Sequence, residues 1–98
     1  MSDKNRRVVV TGMGVISPVG NHLQEFWSSI IAGKCGIGMI ERFPTDNLLV
    51  KIAGEVKNFN PGDHGIDPPT ARKNDRYALF ALAAAHQAMT ASGLNKEN

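Results

Sequence analysis

The sequence has a single cysteine, Cys35, among its 98 residues, which excludes an internal disulfide and is typical of a reducing compartment. It has no apolar run near the roughly 18 residues that a membrane-spanning helix needs. Its basic N-terminal stretch is followed by too few apolar residues for a signal peptide. The formal net charge is only +2, too small an excess to indicate nucleic-acid binding. We therefore expect a cytoplasmic protein without a nucleic-acid or membrane partner.

The composition is that of a folded protein of limited size. Hydrophobic residues make up 42% and charged residues 20% of the chain, which is typical of a globular protein and not of a disordered one. A chain of about 100 residues forms one small domain at most and buries only some 60 to 68% of its unfolded surface. Its stability therefore depends on how well its few elements cover one another.

The hydrophobic pattern predicts a strand over about 6–16, a helix over about 22–32, a strand over about 50–58 and a helix over about 75–92. The first strand is nearly continuous in β-branched residues, which is typical of a strand buried on both faces. Because glycine has no side chain, Gly12 and Gly14 predict close approach by another backbone or a helix. The stretch 50–58 alternates in hydrophobicity, as a half-exposed strand does.

The two helices differ in how much of their surface is apolar. The first, which we expect to begin with Asn21 as its N-cap, has one broad apolar face. The second is rich in alanine, the best helix former, and is apolar all round, which favours burial on several sides. We predict a loop over about 60–69 between the second strand and this helix. These elements have more apolar surface than they can hide together, so we interpret the chain as a piece of something larger.

The stretch VVVTGMG (8–14) invites comparison with a dinucleotide-binding turn. That fingerprint needs a third glycine where Ser17 stands, and Pro18 follows where a helix should begin. We therefore favour close packing of glycine backbone over cofactor binding.

Cys35 is a candidate nucleophile because the neighbouring Lys34 would favour the thiolate form of its side chain. Nucleophilic catalysis also needs a base held by a third group. The three histidines, His22, His64 and His86, show no such constellation in the sequence. Their spacing is not that of a metal site, and one cysteine cannot complete a zinc site. We favour a buried or half-buried structural cysteine, and predict no catalytic residue, no metal and no cofactor in this chain.

Arg72 and Lys73 form a basic cluster with Arg76 at the predicted start of the last helix. Basic side chains there oppose the helix dipole, so helix stability does not explain them. They are either a solvated face, with an arginine paired to Asp75, or a binding surface.

Several stretches together resemble the β-ketoacyl-acyl carrier protein synthases, the condensing enzymes of bacterial fatty acid synthesis. They are RRVVVTGMGVISPVGN (6–21), EFW (25–27), AGK with GI (32–34 and 36–37), KIAGEVKNF (51–59) and the RK-x-D opening of the last helix (72–75). The likeness covers about residues 6–94, and the stretch KIAGEV is more similar to the type II enzymes than to type I. Modular polyketide ketosynthases share the opening motif and are the nearest alternative.

The resemblance implies an α/β fold of the thiolase type, with αβαβα layers and two duplicated halves, in a homodimer. Residues 1–98 would be the N-terminal fragment of the first half and would need the remainder of the synthase chain. The implied reaction is decarboxylative condensation of malonyl-acyl carrier protein with an enzyme-bound acyl group. The family's catalytic cysteine and two histidines lie downstream of the matched region, so we expect this chain alone to be inactive.

One site is implied within the chain itself. In the type II enzymes, basic residues at this helix contact the acidic acyl carrier protein, and Arg72 and Lys73 match two of them. Pro68 and Pro69 depart from the charged residues often found just before, and Asn74 replaces a usual methionine. A stand-alone module that binds acyl carrier protein without chemistry remains an alternative to a synthase segment.

Overall fold

The computed structural model describes residues 5–95 and residue 97. In chain order, its regular elements are α1 (Leu23–Ile31), β1 (Ile37–Met39), β2 (Ile52–Gly54), a 3₁₀ turn (Pro61–His64), α2 (Pro68–Lys73) and α3 (Arg76–Ser92). β1 and β2 pair antiparallel, with Gly38 opposite Ala53. Within the described residues, no helix is both long and apolar enough to cross a membrane.

The helix predicted over about 22–32 is present as α1, but its N-cap is His22 and not Asn21. The His22 Nδ1 atom accepts a 3.4 Å hydrogen bond from the Glu25 N–H. The Asn21 side-chain amide instead donates to the Lys57 carbonyl oxygen at 2.6 Å, and its own N–H donates to the Glu25 carboxylate at 2.8 Å. Asn21 therefore ties α1 to the chain after β2 while its neighbour caps the helix.

The prediction of a strand over about 6–16 is wrong for this structure. These residues form neither strand nor helix. A strand requires a hydrogen-bonded neighbour, and no segment of the described residues pairs with this one. The close approach predicted for its glycines is confirmed. A Cβ atom at Gly12 would collide with the Ala88 carbonyl oxygen, and one at Gly14 with the Ala84 carbonyl oxygen.

The side chain of Gln87 holds this N-terminal segment on α3. Its Oε1 atom accepts a hydrogen bond from the Val15 N–H at 3.0 Å, and its Nε2 group donates to the Val15 carbonyl oxygen at 3.2 Å. The same Nε2 group donates to the Asn21 carbonyl oxygen at 2.6 Å. One amide thus satisfies backbone groups on both sides of the tight turn that Ser17 and Gly20 close.

The strand predicted over about 50–58 is also corrected, because only residues 52–54 pair with β1. Two carbonyl oxygens just beyond them are taken by side chains: that of Val56 by Arg76 and that of Lys57 by Asn21. The ladder therefore ends where side chains replace the neighbouring strand.

A buried carboxylate closes the loop between β1 and β2. The Glu55 side chain is only 8% exposed, and its two oxygens accept hydrogen bonds from the N–H groups of Glu41 at 3.0 Å and Arg42 at 3.2 Å. The Lys57 Nζ group bridges Glu41 at 2.7 Å and Glu55 at 3.3 Å. The Glu41 N–H, with help from Arg42 and Lys57, lowers the pKa of Glu55 below its ordinary value.

The core that these elements enclose is small. Ile66, Leu79 and Ala83 are its buried members, whereas Val8 and Leu49 are fully exposed. The accessible surface is 7838 Å², about 2,400 Å² more than the roughly 5,500 Å² expected of a compact monomer of this mass. The radius of gyration is 17.5 Å, against about 12.6 Å for a compact chain of this length. The expectation that the chain cannot cover its own apolar surface is confirmed.

Candidate functional site

The two candidate docking residues lie on a helix that the sequence pattern did not reveal. The predicted loop over about 60–69 contains the 3₁₀ turn and the start of α2. Asp67 caps α2 by accepting a hydrogen bond from the Thr70 N–H at 3.1 Å, and Pro68 begins the helix where its missing N–H costs nothing. The contact with Thr70 lowers the pKa of Asp67. An aspartate followed by two prolines was the available signal, and its meaning was missed.

Arg72 and Lys73 occupy the last turn of α2, which corrects their predicted place at the start of the long helix. The reason lies in Asn74, whose extended backbone separates α2 from α3, and in Asp75, which is the N-cap of α3. Cations at a helix C-terminus interact favourably with the dipole. Arg72 and Lys73 therefore suit their helix end, and the helix dipole gives no reason to assign them a binding role.

What remains is a basic surface that the chain itself leaves open. Arg72 and Lys73 are both exposed, and neither forms an ion pair with another described residue. The helix that carries them contacts the core through Ala71, which is partly buried. Asn74 also donates its side-chain amide to the Thr70 carbonyl oxygen at 2.8 Å, which closes the end of α2. We call Arg72 and Lys73 the basic pair.

Arg76 is close to the basic pair in sequence but differs in environment. Its guanidinium donates to the Val56 carbonyl oxygen at 3.0 Å and lies 4.9 Å from the ring centre of Phe80 and 5.8 Å from that of Phe59. Partial burial lowers the pKa of Arg76. Within the described residues, Asp75 pairs with neither arginine, so the expected ion pair is absent.

Cys35 and the three histidines line one open groove of about 860 Å³. Cys35 is exposed, which corrects the prediction of a buried or half-buried cysteine, because the loop after α1 runs over the surface. Its Sγ atom contacts the Ile37 carbonyl oxygen at 3.7 Å. His64 stacks on Phe59 with 5.4 Å between ring centres.

No hydrogen bond joins Cys35 to a histidine in the part of the chain that the structure describes. The same residues contain no group of three or more potential metal ligands arranged to hold an ion.

Comparison with known proteins gives a consistent result. The family profile described as "Beta-ketoacyl synthase, N-terminal domain" matches residues 5–98. The chain is 45% identical over 86 residues to the 3-oxoacyl-[acyl-carrier-protein] synthase 2 of Staphylococcus aureus (strain COL), covering 88% of this chain and 20% of that protein. It is 45% identical over 95 residues to the Vibrio cholerae protein of the same name, covering 95% and 23%.

A solved structure shares the fold. The ishigamide ketosynthase/chain length factor superposes with a TM-score of 0.83 at 37% identity, covering 94% of this chain and 23% of that one. The chain spans about a fifth of the length of the relatives that it matches.

Proposed function

Because the chain belongs to the β-ketoacyl synthase N-terminal domain family, we propose that it forms the N-terminal segment of a 3-oxoacyl-[acyl-carrier-protein] synthase. The proposed activity of the whole protein is decarboxylative condensation of an acyl group with malonyl-acyl carrier protein in fatty acid elongation. One observation carries the proposal: identity of 45% to two synthases of that name extends over nearly all of this chain.

The chemistry would proceed in two steps. The acyl group is first transferred from its carrier thioester to the enzyme's cysteine thiolate, which releases the carrier thiol. Loss of carbon dioxide from the malonyl group then leaves a carbanion, which attacks the acyl carbon and frees the cysteine. We propose that the cysteine and its assisting histidines lie outside this segment. The exposed Cys35, hydrogen-bonded only to a backbone carbonyl among the described residues, supports this.

The proposed role of the segment is therefore structural and recognitional. The uncovered apolar surface supports the proposal that the remainder of the synthase chain and a second subunit pack against it. A segment of a polyketide ketosynthase is the second candidate, favoured by the likeness to the ishigamide ketosynthase/chain length factor.

The basic pair is the proposed docking site for the acidic acyl carrier protein. Its support is the exposure of both side chains, their lack of ion-pair partners among the described residues, and the packing of Ala71 of α2 against the core. Two adjacent cations on a fixed helix end can steer an anionic partner. This steering would weaken with salt, since the Debye length is about 10 Å at 0.1 M.

A segment exchange tests the proposed function. The matching part of the Staphylococcus aureus synthase is replaced by residues 5–95 of this chain, and condensation of an acyl group with malonyl-acyl carrier protein is measured. We expect a folded chimera whose turnover is within about tenfold of the parent, because this chain is 45% identical over 86 residues to the part that it replaces. A folded but inactive chimera would contradict the proposal. A carrier-binding module without chemistry predicts instead that the isolated chain binds carrier protein as tightly as the chimera does.

The docking site is tested in the same chimera with the double change Arg72→Glu and Lys73→Glu. Exposed charge contacts contribute roughly 0.2–1 kcal/mol each, and 1.4 kcal/mol is tenfold in affinity. We therefore expect the KM for the carrier protein to rise about 3- to 10-fold at low salt, with kcat nearly unchanged. Lys34→Glu makes the same kind of charge change on another exposed surface and is the control. Equal KM values for the double variant and the parent would remove the docking role.

A further inference from the structure

We propose that Arg76 is a positioning residue for the basic pair, holding the corner between α2 and α3 at the angle that presents Arg72 and Lys73 to the carrier protein. This inference rests on the proposed docking function and adds to it a residue that does not touch the partner. It follows from three contacts by which the Arg76 side chain holds the start of α3, next to the end of α2, to the segment after β2.

The first observation is where Arg76 lies in the chain. It is the first residue of α3, and only Asn74 and Asp75 separate it from the basic pair. Both linking residues are extended, and Asp75 makes no side-chain hydrogen bond to the first turn of α3. The N-terminal end of α3 therefore lacks the side-chain cap that usually fixes a helix start.

The second observation is what Arg76 does in place of that cap. Its guanidinium donates to the Val56 carbonyl oxygen at 3.0 Å, which fastens the start of α3 to the segment after β2. The same group lies over the rings of Phe80 and Phe59, whose centres are 5.0 Å apart in an edge-to-face arrangement. A planar guanidinium can stack and donate at once, which an ammonium group cannot do.

The third observation excludes a direct role. Arg76 is half-buried and already occupied by one carbonyl group and two rings. A partner would have to break these contacts to use its charge. Arg76 therefore acts through the geometry of the corner, while the exposed basic pair makes the contact.

The test uses the full-length chimera with Arg76→Met, which keeps the apolar length but removes the charge, the hydrogen bond and the stacking. We expect the KM for the carrier protein to rise about 3- to 5-fold, with kcat unchanged, since a displaced docking surface weakens binding and leaves the reacting atoms in place. With a small acyl thioester that has no carrier protein, KM should not change. Arg76→Lys should recover less than half of the loss, because lysine lacks the planar group.

A merely structural role gives a different result. If Arg76→Met only reduced the folded fraction, kcat would fall while KM stayed constant for both kinds of substrate, and this result would overturn the inference. The double change Arg72→Glu and Lys73→Glu provides the second test. In that background Arg76→Met should alter KM less than twofold, because there is no longer a basic pair to position.

The same experiments separate the two proposals. No effect of the double reversal at the basic pair would refute the docking function. A strong effect of the double reversal together with no effect of Arg76→Met would refute only the positioning role. An equal effect of Arg76→Met in both backgrounds would show that Arg76 acts independently of the pair and would likewise overturn the inference.

Discussion

Replacing Gly14 by alanine should destabilise the protein through a single added carbon atom. The φ angle of Gly14 lies outside the left-handed region, so alanine can adopt its backbone conformation. The cost is therefore one of contact. The new Cβ atom would collide with the Ala84 carbonyl oxygen and lie 2.8 Å from the Gln87 Cβ atom.

The magnitude follows from the kind of atom that blocks the space. A backbone carbonyl within α3 cannot move without shifting the helix, so the cost should reach the upper part of the roughly 1–3 kcal/mol typical of overpacking. Alanine offsets about 0.4–1 kcal/mol of this loss, because it lowers the conformational entropy of the unfolded chain. The net loss should be about 2 kcal/mol. For a synthase four to five times as long as this chain, that is a fall in Tm of roughly 2 °C.

The assay is thermal unfolding of the full-length chimera, with Gly38→Ala as the matched control. Gly38 also has an ordinary φ angle, but a Cβ atom there meets nothing within 4 Å in this chain. Its Tm should stay within about 0.5 °C of the parent or rise slightly. Adding Gln87→Ala to Gly14→Ala should not rescue stability, because the main obstacle is backbone. A Gly14→Ala protein as stable as Gly38→Ala would refute the claimed approach of the N-terminal segment to α3.

Three further predictions concern Glu55, which closes the loop between β1 and β2, the cysteine Cys35, and the isolated chain. Glu55 has a lowered pKa in the folded state, so its stabilising effect is present above the ordinary carboxyl pKa of about 4.3 and is lost as the pH falls through the lowered value. Glu55→Gln should therefore speed hydrogen exchange of the Glu41 and Arg42 amides at pH 7. Unchanged exchange would contradict the claim that the Glu55 carboxylate holds these two amides. Cys35→Ser in the chimera should leave turnover within a few-fold of the parent, whereas a loss of several orders of magnitude with folding intact would make Cys35 catalytic. The isolated chain should self-associate because of its uncovered apolar surface. A sample that is strictly monomeric by light scattering and unfolds in a sharp transition by circular dichroism would contradict this.

The sequence allowed the two longer helices to be predicted because their signals are local. A helix is specified by spacing and end residues within a few turns, and α1 and α3 follow the predicted spans closely. Gly33 and Gly93 both have the positive φ angles that glycine permits after a helix. The close packing at Gly12 and Gly14 was also predictable, since missing side chains indicate a close neighbour.

The strands and the docking helix depend on information that is not local. A strand over about 6–16 needs a neighbouring strand, and no described segment pairs with it. The short helix α2 escapes prediction because two consecutive prolines, Pro68 and Pro69, favour a loop, although proline also suits the first turn of a helix. That error placed Arg72 and Lys73 at the wrong end of a helix. The positions of Arg76 and Gln87 could not be predicted, because each depends on a partner distant in sequence.

The hydrogen bonds between Gln87 and Val15 join residues 72 positions apart, and this separation has a consequence for synthesis on the ribosome. At the usual 5–20 residues per second, roughly 4–14 s pass between the emergence of Val15 and that of the amide that holds it. During that interval the valines at positions 8–10, which are largely exposed even in the finished structure, have neither α3 nor any later segment beside them. The nascent chain therefore presents these three valines before α3 has been made, at the stage when chaperones and neighbouring chains compete for exposed apolar residues.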